Sequence, residues 1–379
     1  MFITKRLLSI LVLGISSGLP LALVSGTLQA WLSDSGMTIE QIGYFTLLTL
    51  PYSFKFIWSP IVDAFVPKGF REFGRRKGWI LISQALLAFT LLALSFLSPA
   101  QSMMTFFVVA IILALASATQ DIVVDAFRAE SLQVDEIGRG SSFAILGYRI
   151  GMLLSGAMAL GLAEVYQWPV VYGLMAGLQS IIAVVVLTTL KEDLSRSVAP
   201  PSLSASIVGP FKEFFSRKSA ILILVFITLF KLTDVMAGMF TTKFLLDLGY
   251  AKGEIAGVVK GLGLFATLAG SVLGGWWVDR LTMRSALIIS TIIQGLSNVV
   301  FVWLASVQTS ILALSVAVVV ENISGGVGSA AFAAYLAGLC ARSFTATQYS
   351  LLSGLASLPR SVLGVPCAKL VEKTSWEAY

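Results

Sequence analysis

MMTFFVVAIILALASATQDIVVDAF, residues 103–127, decides how this chain is read. Its first eighteen residues carry no charge, and a helix over the whole stretch rises about 37 Å, enough to cross roughly 30 Å of hydrocarbon. Yet Asp121 and Asp125 stand in its last two turns, where a lipid-facing segment carries no acid. A charged side chain inside a membrane helix faces a partner or a water-filled cavity, so this segment is at once a span and part of an interior wall.

The rest of the chain repeats the pattern. Of 379 residues, 57% are hydrophobic and 12% charged, more apolar surface than a single soluble core hides. Apolar runs of about 20 residues predict eleven spans, at 7–31, 42–66, 78–97, 103–127, 141–163, 169–190, 219–246, 255–278, 285–304, 310–339 and 346–368. The runs are too uniformly apolar for the period-2 alternation of a membrane β-barrel, so the chain reads as an all-α polytopic membrane protein. The first run, at about 25 residues and without a small-residue cleavage site, belongs to the array and is not a removable signal. No stretch is left over for a separate soluble domain.

Lysine and arginine set the expected orientation. With Lys5 and Arg6 inside, the internal loops hold Lys68, Arg71, Arg75, Arg76, Lys77, Arg128, Arg139, Lys191, Arg196, Lys212, Arg217, Lys218, Arg280, Arg284 and Arg342. The opposite loops hold only Lys252, Lys369 and Lys373, which predicts a cytoplasmic N-terminus. The net charge of +6 therefore belongs to the membrane face, and no nucleic-acid partner is implied.

Several chemistries fall away. The chain has no histidine, which removes His catalysis, His metal sites and a His proton relay. It has no GxxxxGK[ST] and no HExxH motif. Cys340 and Cys367 form neither a metal spacing nor a disulfide framework. Asp121 and Asp125 lie four apart on one helix, unlike the facing carboxylates of an acid–base pair. The expectation is no catalytic residue, no metal and no cofactor: not an enzyme.

A duplication lies within the chain. LSDSGMTIEQIG (32–43) resembles LLDLGYAKGEIAG (245–257), aligning Asp34 with Asp247 and Gly36 with Gly249. SPIVDAF and GGWWVDR then place Asp63 opposite Asp279, and LAEVYQW (162–168) matches LVEKTSW (370–376). Three matches in one order predict two copies of a six-helix unit about an axis along the membrane normal. The expected domains are an N-terminal six-helix bundle (1–190), a polar, proline-bearing linker (191–218) and a C-terminal bundle of five helices (219–379). The match places a twelfth helix after Trp376, where only Glu377, Ala378 and Tyr379 stand, so the expectation is eleven helices with the twelfth absent.

Charges inside the spans mark the interior. They are Lys55 and Asp63 on the second, Asp121 and Asp125 on the fourth, Arg149 on the fifth and Lys231, Asp234 and Lys243 on the seventh. Lys260, Glu321 and Arg360 fall on the eighth, tenth and eleventh, while the third, sixth and ninth carry none. In a twelve-helix, two-bundle transporter those empty positions are the outer scaffold. Counting rise, Asp121 lies roughly 9 Å above the cytoplasmic end of its helix and Arg149 roughly 12 Å above the start of the next, so the two can meet. Two acids sharing one arginine cannot both be compensated. Asp121, Asp125 and Arg149 are therefore either a proton-coupling site or a clamp of salt bridges at a gate. Lys55, Lys231, Asp234 and Glu321 lie near the midplane, with Asn322 and Gln120 available for neutral hydrogen bonds or for bridging helices. In-helix cations are not outnumbered, which favours an anionic solute. Gly147–Gly151, Gly257–Gly261 and Gly270–Gly274 read as close helix contacts, and SGGVGS (324–329) as a place where the tenth span loosens.

These residues carry a family likeness. Asp63 with Gly74, Arg75, Arg76 and Lys77, mirrored by Asp279, Arg280 and Arg284, resembles the loop signature of the major facilitator superfamily. Within it, SGLPLALVSGTLQAWL (17–32), YSFKFIWSPIVDAF (52–65), SATQDIVVDAF (117–127), LGYRIGMLLSGAMAL (146–160), FKLTD (230–234), VENISGGVGSAAF (320–332) and SFTATQYSLLS (343–353) are similar to the AmpG muropeptide permeases over essentially the whole chain. The resemblance implies a major facilitator-type two-bundle fold and import of anhydro-muropeptides across the bacterial inner membrane. That is N-acetylglucosaminyl-1,6-anhydro-N-acetylmuramic acid with or without its stem peptide, driven by the proton-motive force. It also implies a role in peptidoglycan recycling and β-lactamase induction, and a path lined by Lys55, Asp121, Asp125, Arg149, Lys231, Asp234 and Glu321, to which the charge pattern adds Lys260, Asn322 and Arg360. The expected partners are an anionic sugar-peptide, protons and the lipid bilayer, with the chain acting as a monomer. Two readings compete: another anionic cargo, acyl-CoA-like or peptide, on the same fold, and a truncated paralogue that does not transport.

Overall fold

The computed structural model describes residues 4–192, 202–239 and 241–362, and among them every regular element is helical. Among the described residues eight helices are long and apolar enough to cross a membrane: Lys5–Asp34, Arg75–Ser95, Met103–Ser131, Ile137–Ala163, Trp168–Thr189, Gly253–Arg280, Met283–Ser306 and Ile311–Leu339. Each coincides with an expected span.

The other three expected spans are formed differently. Residues 42–66 are a chain of short turns, Ile39–Tyr44, Phe45–Thr49, Leu50–Phe54, Lys55–Ile57 and Ser59–Ala64, two of them 3₁₀. Pro51 and Pro60 explain this, since each removes a backbone donor and crowds the preceding turn. Span 219–246 is the helix Ala220–Met239, apolar over Ala220–Leu232, followed by Thr241–Asp247. Span 346–368 is described as the helix Thr345–Val362, and residues 363–379, with Cys367 and Trp376, lie outside the described residues.

The helices of the third, sixth and ninth spans, whose charges lie only in their first turns where they have any, show why they belong in lipid. Met283–Ser306 exposes Ile288, Ile292, Leu296, Val299 and Trp303, a spacing of three or four that makes one outward stripe. Trp168–Thr189 exposes Val170, Leu174, Ile181 and Val184, and Arg75–Ser95 exposes Leu86, Phe89 and Leu92. Hydrocarbon is the solvent that covers such stripes without cost.

Contacts divide the chain into two compact units, one of residues 1–132, 143–213 and 340–350, the other of 133–142, 214–339 and the residues after 350. In the first, Gly14 and Gly18 of helix Lys5–Leu23 meet Gly147 and Gly151 of helix Ile137–Leu153 so closely that a Cβ on any of them would strike the opposing backbone. An aromatic group closes one end: the Trp31 ring lies 4.5 Å from Tyr172, 5.0 Å from Phe106 and 6.2 Å, stacked, from Trp168. Trp168 donates to Asp34 at 2.8 Å and the Tyr172 hydroxyl to the Leu23 carbonyl at 2.9 Å.

In the second unit Gly270 and Gly274 pack on the backbone of Ile323 and Val327, and Gly326 on Thr267 and Ser271. The expected loosening at SGGVGS does not occur. Helix Ile311–Leu339 runs unbroken through it, with Gly326 serving close packing.

The matched positions of the repeat adopt matched conformations. Gly36 has φ 76° and Gly249 φ 93°. The Met37 N–H donates to the Leu32 carbonyl at 3.2 Å and the Tyr250 N–H to the Leu245 carbonyl at 3.1 Å. Both are six-residue helix closures that need a left-handed residue, which glycine adopts at least cost. Within the expected linker, residues 203–215 form the helix Leu203–Phe215, which buries Ser206, Pro210 and Phe214 at spacings of four; residues 193–201 lie outside the described residues.

Candidate functional site

Helix Met103–Ser131 carries four charges in its last three turns: Asp121, Asp125 and Arg128 share one face, and Glu130 lies on the opposite one. The Asp125 carboxylate accepts from Arg128 at 3.2 Å and lies 3.8 Å from the Lys55 ammonium. Arg128, only 4% exposed, also donates to the Tyr349 hydroxyl, and its guanidinium lies 5.3 Å from the centre of that ring. Lys55 reaches the acids from the tight turn Lys55–Ile57, between the two prolines. Asp121 lies within hydrogen-bonding reach of Ser17 and in the field of Lys55 and Asp125. Axial height suggested that Arg149 would meet Asp121; among the described residues no ion pair joins Arg149 to either acid, and Lys55 and Arg128 hold Asp125 instead.

Buried glutamines set the rotation of this helix. The Ser16 hydroxyl accepts from Gln84 at 3.0 Å and from Gln179 at 2.9 Å and donates to Gln120 at 3.3 Å. One hydroxyl thus uses its single donor and both acceptor sites to tie four helices together, so Gln120 is a bridge between helices. With Gln120 fixed inward, Asp121 and Asp125 are turned toward Lys55.

Below the acids lies the loop signature. Arg76 pairs with Asp63 at 2.7 Å and with Glu130 at 2.6 Å, and Arg75 donates to the Asp63 carbonyl at 2.8 Å. The Asp63 carboxylate further accepts from the backbone N–H groups of Ala346 and Thr347, at 3.2 and 2.8 Å, and from the Thr347 hydroxyl at 2.7 Å. An anion at the first turn of helix Thr345–Val362 satisfies donors that have no partner within the helix. Gly74 stands before the signature arginines with φ 94°, and Glu192 accepts from the Lys77 N–H at 2.9 Å, capping helix Arg75–Ser95.

The second unit repeats this with different residues. Asp279 accepts from the N–H groups of Gly138 and Arg139, at 2.9 and 3.3 Å, at the first turn of helix Ile137–Leu153, and its ion-pair partner is Arg139. Arg280 and Arg284 are exposed, Arg280 lying 5.7 Å from the Trp276 ring. Deeper in the unit, Lys231 stands 5.3 Å from the centre of Phe332, which stacks on Phe230 at 4.9 Å. Asn322 donates to Glu321 at 2.7 Å and accepts from Thr267 at 2.7 Å. The side chains of Asp234, Lys243, Lys260 and Arg360 lie outside the described residues.

Charged side chains thus sit inside helices whose outer faces are apolar, and the sequence profile of the Major Facilitator Superfamily matches residues 10–364. The chain belongs to the major facilitator superfamily.

This major facilitator protein is 41% identical over 374 residues to the anhydromuropeptide permease of Escherichia coli K12, covering 98% of this chain and 75% of the relative. It is 37% identical over 380 residues to the putative transporter AmpG 4 of Rickettsia conorii, covering 99% and 92%. The AmpG likeness read from the residues is thereby established. Its relatives are permeases and transporters, and it is a multi-pass membrane protein. Among solved structures, the Escherichia coli fucose:proton symporter FucP superposes with a TM-score of 0.69 at 14% identity, covering 97% of this chain and 92% of that one. The proton:xylose symporter XylE gives 0.66 at 13%, covering 98% and 89%. At those identities the likeness is one of fold.

Four residues were not read from the sequence as site residues: Glu130 and Glu192, and Arg128 and Arg139, which counted only as loop cations. Arg128 and Glu130 could have been found, since both continue the acid-bearing helix by another turn past Asp125. Arg139 and Glu192 could not, because their partners are 140 and 115 residues away.

Proposed function

We propose that this chain imports anhydro-muropeptides by proton symport, working as a monomer in a bacterial inner membrane with its N-terminus in the cytoplasm. The observation that carries the reading is the 41% identity, spread over 98% of the chain, to a protein named for that cargo. The charged interior supports it. Lys231, half-buried over the ring of Phe332 with Phe230 stacked on it, holds a cation in the interior of the second unit, the charge an anionic sugar engages. The chain Thr267–Asn322–Glu321 adds neutral hydrogen-bonding groups beside a carboxylate. Transport then follows by alternating access between the two repeated halves.

Geometry also distinguishes the acids. Asp125 is held by two cations, Lys55 and Arg128. Asp121 has a hydroxyl at hand and shares Lys55. We assign proton carriage to Asp121 and a gate clamp to Asp125 with Lys55 and Arg128.

The test is uptake of labelled anhydro-muropeptide into proteoliposomes with and without an inward proton gradient. Accumulation that requires the gradient is the expected result. Uptake indifferent to the gradient overturns symport. Competition by acyl-CoA-like or simple peptide solutes alone overturns the cargo, and no movement of any solute favours a non-transporting role.

A further inference from the structure

The first unit contains a cavity of about 730 Å3 where helix Lys5–Leu23 begins and helix Trp168–Thr189 ends. None of the path residues Lys55, Asp121, Asp125 or Arg149 lines it. Its lining holds the cations Lys5, Arg6, Arg75, Arg76, Lys191 and Arg342 against the carboxylates Glu130 and Glu192. Arg75 and Arg76 form the inner wall and are engaged by Asp63 and Glu130. Lys5, Lys191 and Arg342 are exposed, at the rim. A concavity with this excess of positive charge takes an anion.

The remaining lining says what kind. Leu8, Val12, Phe127 and Val185 lie among the cations, where a small hydrophilic anion would gain nothing. Leu8 is 52% exposed, and Val184 and Leu187, at 59% and 43%, continue the apolar surface along the neighbouring helix. Charge at the mouth and exposed hydrocarbon leading away from it is the layout of an anionic head carried on acyl chains. The volume is that of a small organic headgroup and exceeds what a bare phosphate fills. Basic pockets between membrane helices at the headgroup level bind anionic lipids on this principle.

We propose that the cavity is a binding site for an anionic phospholipid, its phosphate held by Lys5, Lys191 and Arg342 and its chains lying along Leu8, Val184 and Leu187. The headgroup then rests against Glu130 and Arg75, in front of the fully buried Arg76, so lipid binding stabilises the loop-signature cluster. This site does not depend on the cargo or on the orientation of the chain.

The experiment is thermal unfolding of the purified full chain in a neutral detergent, titrated with dioleoylphosphatidylglycerol, dioleoylphosphatidylcholine or inorganic phosphate. Phosphatidylglycerol is expected to raise Tm saturably, the other two not. The triple variant Lys5→Gln, Lys191→Gln, Arg342→Gln is expected to weaken the apparent phosphatidylglycerol affinity by about 100-fold. Equal responses to the two lipids, an unchanged affinity in the triple variant, or a shift reproduced by phosphate alone would each overturn the proposal, the last by making the site one for a soluble anion. Should the triple variant lose stability without lipid, the variant Lys5→Arg, Lys191→Arg, Arg342→Lys decides: retained binding supports the site and lost binding overturns it.

Discussion

Asp63 and Arg76 lie 2.7 Å apart, and solvent reaches neither side chain. A buried ion pair alone returns little more than its desolvation costs. Here the carboxylate is also the cap of helix Thr345–Val362, accepting from two backbone N–H groups and the Thr347 hydroxyl, while the guanidinium takes Glu130 as a second acid. Every strong acceptor has a donor, so the cluster is a joint and not merely a pair.

Removing the cation therefore strands two acids. Arg76→Ala is expected to destabilise the protein by about 3–5 kcal/mol, read from denaturant or thermal unfolding in detergent. Arg76→Lys should fall between, because an ammonium cannot present the planar fork that serves Asp63 and Glu130 together. A loss below about 0.5 kcal/mol for Arg76→Ala would mean the carboxylates are held mainly by the helix end.

Gly74 is required twice over. Its φ of 94° and ψ of 166° fall where only glycine is at ease, and a Cβ there would run into the Glu192 side chain. Gly74→Ala is expected to cost about 1–3 kcal/mol. Gly173→Ala is the control: it lies in helix Trp168–Thr189 with nothing near its Cβ position, so it should be neutral or stabilising by up to about 1 kcal/mol.

Glu192 makes the same corner sensitive to pH. Burial pushes its carboxyl above the ordinary 4.5, against the opposing pull of the Lys77 N–H and Arg76. The folded protein then binds this proton more tightly than the unfolded chain does. Its contribution to stability is complete below the ordinary value and is lost as pH rises through the raised one. Melting temperatures across that window should fall more steeply with pH for the wild type than for Glu192→Gln; parallel curves would remove Glu192 as the cause.

What could be read in advance follows from which forces leave a mark on sequence. The pairs Gly36 with Gly249 and Asp63 with Asp279 were legible, because a left-handed helix closure and an anion at a helix start admit few residue types, and a duplication preserves them. The partner of the acids was not. Counting rise gives height along an axis but not rotation about it, so height alone paired Asp121 with Arg149 and set Lys55 nearer the midplane. Pro51 and Pro60 decide between them by winding residues 45–57 unevenly, and Gln120 decides by locking the acid-bearing helix against Ser16. The difference between Arg280, exposed, and Arg76, buried, was equally hidden, since Asp279 takes its cation from Arg139.

The two acids should fail differently when neutralised. Asp125→Asn leaves Lys55 and Arg128 without the carboxylate they share, so both gradient-driven uptake and passive exchange are expected to fall, together with a loss of stability of about 1–3 kcal/mol. Asp121→Asn keeps that clamp and the Ser16–Gln120 anchor, so exchange of cargo across proteoliposomes at equal pH should persist. Accumulation against a cargo gradient should fall at least about tenfold, because the site can no longer release and bind a proton. Equal loss of both activities in the two variants would assign the acids to one clamp, and would place the proton elsewhere in the chain.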